Sequence, residues 1–359
     1  MAALTQELQL FELEWPTTTL ETIFVGGGTP TVLSLDQLSS LLSSCHSAFD
    51  IKRDAEITIE ANPGTLDKNY LRSLRELGIN RLSLGVQSFD DALLKRLGRL
   101  HSASQAIKIV DLARQTGWAN INLDLMYGLP GQSMTEWLQT LEQALSLEPE
   151  HLSLYALTLH ESTPLAQQIK AGRCASPDDD LAADMYLEAV ALLAQAGYVH
   201  YEISNWARAT ENGSAYKCQH NLNYWLDRRY FGVGAGAHGY LADTRYWNVA
   251  HPRDYIERIK TGQRPIAGEE EIDLDTEISE FMILGLRRIV GVYYETFVDR
   301  FGFDLCDLYQ ETIAELERIG LLIMDQEGIR LTKRGYLLGN EAFQRFLLDR
   351  ESEEQNEHH

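Results

Sequence analysis

Six short runs rich in β-branched, aliphatic and aromatic residues, 22–25, 56–61, 81–86, 120–126, 151–157 and 199–204, several alternating apolar with polar positions, predict strands. Between them, apolar residues recur every three to four positions near 34–48, 67–77, 89–97, 103–116, 134–147 and 177–196, which predicts helices. Ser34, Asp67, Ser133 and Ser176 stand at expected helix starts, and Gly78, Gly117 and Gly197 at expected ends. Repeated strand–helix units with short turns predict an α/β fold with a parallel sheet, closed as a barrel or open and doubly wound. This region spans 1–204. From 205 to 271 the periodicity loosens into Gly, Asn, His and aromatic residues. At 272–348 a mainly helical module follows, and its "AELERIGLLIMDQEGIRLTKRGYLLGNEAF" reads as helix, two strands and helix, a winged-helix-like order. The polar tail 349–359 is expected to be disordered.

Strand parity then separates two faces. Ile57, Ile59 and Ala61, then Leu82, Leu84 and Val86, then Ile121, Leu123, Leu125 and Tyr127 form the face that helices should cover. The opposite face carries Glu56, Thr58 and Glu60, then Ser83, Gly85 and Gln87, then Asn122, Asp124 and Met126. Glu60, Gln87 and Asp124 fall near the carboxyl ends of their strands, where parallel α/β folds place their sites. A lone inward carboxylate is usually a satisfied structural group. Three strands agreeing in parity and depth predict a ligand cavity.

Gly26, Gly27 and Gly28 follow the first strand in "TIFVGGGTP". A glycine loop after a strand suggests phosphate, but no G-K-[ST] follows, and Pro30 removes an N–H that a phosphate nest would use. Glycines let a ligand approach the backbone closely, and their carbonyls accept hydrogen bonds. With carboxylates nearby, the expected ligand carries positive charge. A tight turn at positive φ would account for one of the glycines and not for three. A second cluster, "GVGAGAHGY" at 232–240, contains G-x-G-x-x-G but lacks the preceding buried strand of a dinucleotide site.

Composition narrows the function. The 359 residues carry 53 acidic and 31 basic side chains, a net charge of −22, without a basic cluster, so nucleic acid is not an expected partner. Acids also outnumber bases in the winged-helix-like module, which favours docking or structure over DNA. No apolar run is long enough to cross a bilayer and the N-terminus does not read as a secretory signal, so a cytoplasmic location is expected. Cys45, Cys174, Cys218 and Cys306 are too scattered to predict a metal site.

GGGTP at 26–30, EANP at 60–63, "RLSLGVQSF" at 81–89 and "NLDLMYGLPGQ" at 122–132 together resemble the radical S-adenosylmethionine (SAM) enzymes of the oxygen-independent coproporphyrinogen oxidase group. The resemblance covers almost the whole chain. "HNLNYW" at 220–225 is similar to the HNxxYW motif of the haem-chaperone (HemW) branch. The resemblance implies a partial (β/α)6 barrel, with Gly27, Gly28 and Thr29 lining SAM and Glu60, Gln87, Arg99 and Asp124 as further contacts. The family also holds a [4Fe-4S] cluster on a CxxxCxxC loop after its first barrel strand. Here that motif does not occur, TIFV matches the family's second strand, and the chain is expected to lack the first strand and radical chemistry. For haem, His220 and Tyr224 are the candidate axial ligands and His238 a competitor. Trp206 and Trp225 fit either a porphyrin face or core packing. Implied partners are haem and haem-accepting respiratory proteins, and a homodimer is left open. The alternatives are a coproporphyrinogen III dehydrogenase and a cluster-less protein that only binds other proteins.

Overall fold

The computed structural model describes residues 1–161, 163–210 and 215–348, so the tail 349–359 lies outside the described residues. Helix α1 (Ala2–Glu14) precedes the sheet and belongs to the second of two compact units. The first unit comprises 18–200 and 204–220.

The first unit is built on strands β1 (Thr19–Val25), β2 (Asp50–Ala61), β3 (Arg81–Gln87), β4 (Ile121–Tyr127) and β5 (His151–Ala156). These run parallel in that spatial order. Helices α2 (Leu35–Ala48), α3 (Lys68–Glu76), α4 (Asp91–Arg96), α5 (Ala103–Gln115) and α6 (Met134–Ser146) alternate with them, and α7 (Pro164–Lys170) and α8 (Asp179–Gln195) follow β5. The sheet ends with β7 (Asn205–Arg208) and then β6 (Tyr198–Glu202), making a seven-stranded half-barrel. The strand expected at 199–204 is therefore not next to β5. The sequel β7 turns back and takes that place, antiparallel to β5. Strand β2 also begins earlier than expected. Its first residues are exposed apart from the half-buried Ile51, so hydrophobic patterning could not mark them.

Parity holds where the helices pack. Leu82, Leu84, Val86, Ile121, Leu123 and Leu125 are wholly buried. Ala106, Ile109, Val110 and Ala113 of α5, spaced at three and four residues, are buried as well and form one helix face. Each such aliphatic burial contributes about 2 kcal/mol. Ser34 and Ser133 form capping boxes with Gln37 and Glu136, and Asp67 caps α3. Ser176 does not cap α8. Asp178 does, accepting from the Leu181 N–H.

The second unit joins 1–17, 201–203 and the chain from Asn221 onward. After α9 (Gln219–Trp225), which begins in the first unit, come β8 (His238–Leu241), β9 (Thr244–Asn248), α10 (Pro252–Lys260) and β10 (Ile266–Glu271). The three strands form an antiparallel sheet in the order β10-β9-β8. The C-terminal module is α11 (Leu274–Leu286), β11 (Val292–Tyr293), α12 (Tyr294–Phe301), α13 (Leu305–Arg318), β12 (Leu322–Met324), β13 (Gly328–Leu331), α14 (Lys333–Leu337) and α15 (Gly339–Phe343). Its sheet runs β11-β13-β12 and its core includes Met282, Leu286, Phe297, Leu316 and Phe346. The helix, two strands and helix expected from the sequence are α13, β12, β13 and α14.

Glu7 of α1 is fully buried in this unit. Its carboxylate accepts from the Gly234 N–H (2.8 Å), Asn248 Nδ2 (2.6 Å) and the Tyr255 hydroxyl (2.6 Å). The glycine cluster at 232–240 thus runs from a stretch pinned to α1 at Gly234 into β8, and is not a nucleotide turn. Glu7→Ala leaves three buried donors without their acceptor and should lower the unfolding free energy by about 3 kcal/mol. A urea-denaturation midpoint that hardly moves would show that the carboxylate does not hold the loop.

Candidate functional site

At the carboxyl ends of β1 to β4 the structure brings the sequence-predicted residues together. The Gly27 N–H donates to Glu60 Oε2 at 3.0 Å, joining the glycine turn to β2. Gly27 and Gly28 lie at φ +84° and +63°, and a Cβ on Gly26 would come within 2.5 Å of the Phe24 ring and 3.1 Å of the Glu60 carboxyl carbon. Positive φ therefore accounts for two of the glycines, one more than expected, while Gly26 is crowded by the Phe24 and Glu60 side chains. Thr29 then leads into the 3-10 turn Pro30–Val32. The three glycines are exposed.

Asp124 sits on β4 over a polar network. Asn122 Nδ2 donates to Asp124 Oδ1 and to Ser83 Oγ, each at 2.8 Å, and Ser83 Oγ reaches Asp124 Oδ2 at 3.2 Å. With its amide nitrogen committed, Asn122 presents Oδ1 to His151 Nδ1 (2.6 Å) and Ser153 Oγ (3.1 Å). His151 therefore carries its proton on Nδ1. Burial pushes the Asp124 carboxyl up, against hydrogen bonds from Asn122, Ser153 and Ser83 and the charge of Arg81. Glu60 is raised as well, first by burial and further by the negative charge of Asp124, with the Gly27 N–H pulling the other way. Arg99 is lowered by burial while Asp124 supports its charge. Two carboxylates and one guanidinium thus share one electrostatic neighbourhood. Such clustering of shifted groups marks functional sites.

Gln87 reaches this site by a distortion. The β3–β4 register slips between Gly85 and Gln87, and Gln87 adopts φ +68°. A bulge of this kind re-aims the strand end, and a non-glycine residue there costs about 1 kcal/mol or more. The Gln87 amide folds back over Gly85, where a Cβ would meet Nε2 at 3.0 Å. Sequence reading passed over Arg81, His151 and Ser153. The parity that found Ser83 and Asn122, extended to β5, would have found the latter two.

His220 lies in the first unit with its Nδ1 2.9 Å from the Thr22 hydroxyl and its ring stacked on Phe24, centroids 4.9 Å apart. Glu56 of β2 accepts from the backbone N–H groups of Gln219 (3.1 Å) and His220 (3.0 Å). Burial, reinforced by Arg81, pulls the His220 imidazole down to about 4, so it is neutral near pH 7. Tyr224 packs edge-on against Tyr230 at 4.7 Å in the second unit. His238 is exposed beside Trp247. Trp206 is wholly buried and stacked on His200 at 4.3 Å, so its ring is core. Trp225 carries the Arg287 guanidinium over its ring at 4.5 Å.

Cys45 and Cys218 are buried, and Cys174 and Cys306 half-buried, all as free thiols. Among the described residues no three His, Cys, Asp or Glu side chains are grouped to hold a metal ion. No helix among them is long and apolar enough to cross a membrane.

Residues 8–144 match the radical SAM superfamily and residues 272–338 the HemN C-terminal domain. The heme chaperone HemW of Lactococcus lactis is 40% identical, over 97% of this chain and 89% of that protein. HemW of Bacillus subtilis is 39% identical, over 91% and 86%. HemW of Escherichia coli is 35% identical, over 92% and 85%. The structure is similar to that of the coproporphyrinogen III oxidase HemN of Escherichia coli, a radical SAM enzyme, with a TM-score of 0.83 and 25% identity over 96% of this chain and 82% of that one.

The turn's backbone makes a separate prediction. A Cβ on Gly27 would meet no atom within 4 Å, yet its φ of +84° suits glycine. Gly27→Ala should cost about 1–2 kcal/mol in a denaturant melt through backbone strain alone. An unchanged midpoint would mean the turn relaxes freely.

Proposed function

The chain belongs to the HemW family of the radical SAM superfamily, and from that membership we propose that it binds SAM at the glycine turn and haem at the HNxxYW helix, acting as a haem chaperone. The observation that carries the SAM half is the gathering of Gly27, Glu60, Asp124 and Arg99. SAM presents an ammonium, a sulfonium and a carboxylate. Two carboxylates, a guanidinium and an open glycine backbone complement those charges, so the residues fit the group. Glu60 and Asp124 would hold the cationic parts, Arg99 would balance the charge, and Gln87, Gly28 and Thr29 would line the remainder. SAM bound to an iron–sulfur cluster is a source of radical chemistry. The four free thiols, Cys45, Cys174, Cys218 and Cys306, are not grouped to hold a cluster.

For haem, a neutral imidazole is the form that ligates iron, and His220 is held neutral without a proton to lose. With Nδ1 engaged by Thr22, iron would bind Nε2, and the Thr22 hydroxyl would orient the ring. Tyr224 is the second candidate ligand. Haem would then pass to haem-accepting respiratory proteins in the cytoplasm. The likeness to coproporphyrinogen III oxidase supports a second reading, oxidation of a porphyrinogen, but the higher identity to chaperones favours the first.

Two measurements test this. Haem titration should give a saturable Soret shift that His220→Ala abolishes or moves. Acidification should leave the complex intact through the range where an ordinary histidine protonates, with release only near pH 4; release near 6.5 rules out His220 as ligand. SAM binding, followed by calorimetry, should weaken as pH falls, because the carboxylates bind the cation only when deprotonated. Both carboxyls are raised, so the loss should begin above the ordinary 3.8 to 4.5 range, and Glu60→Gln should weaken binding about tenfold. An affinity that does not change on acidification overturns the carboxylate assignment.

A further inference from the structure

His101 is only 3% exposed and follows Arg99 by two residues, with Leu100, 98% exposed, between them. The segment thus turns one side chain wholly into water and buries the next. His101 Nε2 lies 3.1 Å from the Val86 carbonyl oxygen. A carbonyl only accepts, so Nε2 carries the proton and donates. Burial pulls the imidazole pKa down, which favours the neutral ring. Gly64, in the turn Pro63–Thr65 after β2, lies against this histidine, since a Cβ there would stand 3.8 Å from the His101 Cβ. The loops that leave β2 and β3 and the Arg99 segment therefore meet at one buried side chain.

The carbonyl that His101 holds belongs to a strained turn. The Ser88 N–H donates to the same oxygen at 2.9 Å, closing three residues around Gln87 at φ +68°. Turns of this size and sign are rare and strained, and such a conformation persists only where the surroundings fix it. The neighbouring strand does not do so, because the register passes from Gly85 opposite Asp124 to Gln87 opposite Leu125 and leaves Val86 without a counterpart on β4. The bond from His101 comes instead from outside the sheet. We propose that His101 is a positioning residue for the SAM site: its Nε2–H fixes the Val86 carbonyl, and through it the turn that sets Gln87. An apolar ring of similar shape would fill the same space without holding that oxygen. The proposal rests on the SAM reading above and adds to it what keeps Gln87 in place.

The test follows SAM binding by calorimetry in the full chain, in His101→Phe, His101→Gln and Gln87→Ala, and in the variant carrying both His101→Phe and Gln87→Ala. His101→Phe should bind SAM about tenfold more weakly. His101→Gln, whose amide N–H can still donate to the Val86 carbonyl, should recover most of that loss. On the Gln87→Ala background, His101→Phe should cost no more than about twofold, because the residue it positions is gone. Wild-type affinity in His101→Phe overturns the proposal. Equal losses on the two backgrounds overturn it too, since the histidine then supports the fold in general. An affinity in His101→Gln as low as in His101→Phe rejects the hydrogen bond as its means. Wild-type affinity in Gln87→Ala overturns the proposal without any His101 variant having to fold, since nothing then needs positioning. No saturable SAM binding by wild type rejects the SAM reading itself, and the proposal falls with it.

Discussion

A single buried cation organises the interior of the first unit. The Arg81 guanidinium, at the start of β3, is only 2% exposed. Placing such a charge out of water costs several kcal/mol unless the surroundings answer it. Its field favours the ionised form of Asp124 and disfavours protonation of His151 and His220. Arg81 thus partly offsets the burial that raises the Asp124 carboxyl, and it adds to the burial that keeps His151 and His220 neutral.

Around that charge the strands are bent out of regularity where the site needs it. The slip beside Gly85 leaves Gln87 at positive φ with its amide folded over the preceding glycine. The glycine turn after β1 is similarly shaped, two residues at positive φ and a third with no room for a side chain beside Phe24 and Glu60. Sequence reading treated the glycines as a concession to the ligand. They are first a concession to the backbone, which then brings the Gly27 N–H to Glu60.

The second unit spends its few cations sparingly. Arg300 bridges Asp227 and Glu277 while covering Phe281 and Phe301, and Arg245 meets Glu280 and Glu270. Burial raises Asp227 to about 6 even beside Arg300, since desolvation outweighs the attraction. These pairs tie the residue just beyond α9 to α11 and α12, and the winged-helix-like module is held by polar clamps as well as by its aromatic core.

What the sequence determined by itself was local and periodic. Period two separated Leu82, Leu84 and Val86 from Ser83 and Gln87, because neighbouring side chains on a strand must face opposite ways. Ser34, Asp67 and Ser133 marked helix starts because their oxygens reach N–H groups two or three residues on. The motifs also carried the family, since fixed residue types in a fixed order need no coordinates to read. Tertiary structure decided what depends on distant partners. The strand order β5-β7-β6, the joining of Glu7 to Gly234, the capping of α9 by Glu56 and the pairing of His220 with Thr22 each link residues far apart in the chain. No local pattern encodes such meetings, because they follow from which surfaces the whole fold buries together.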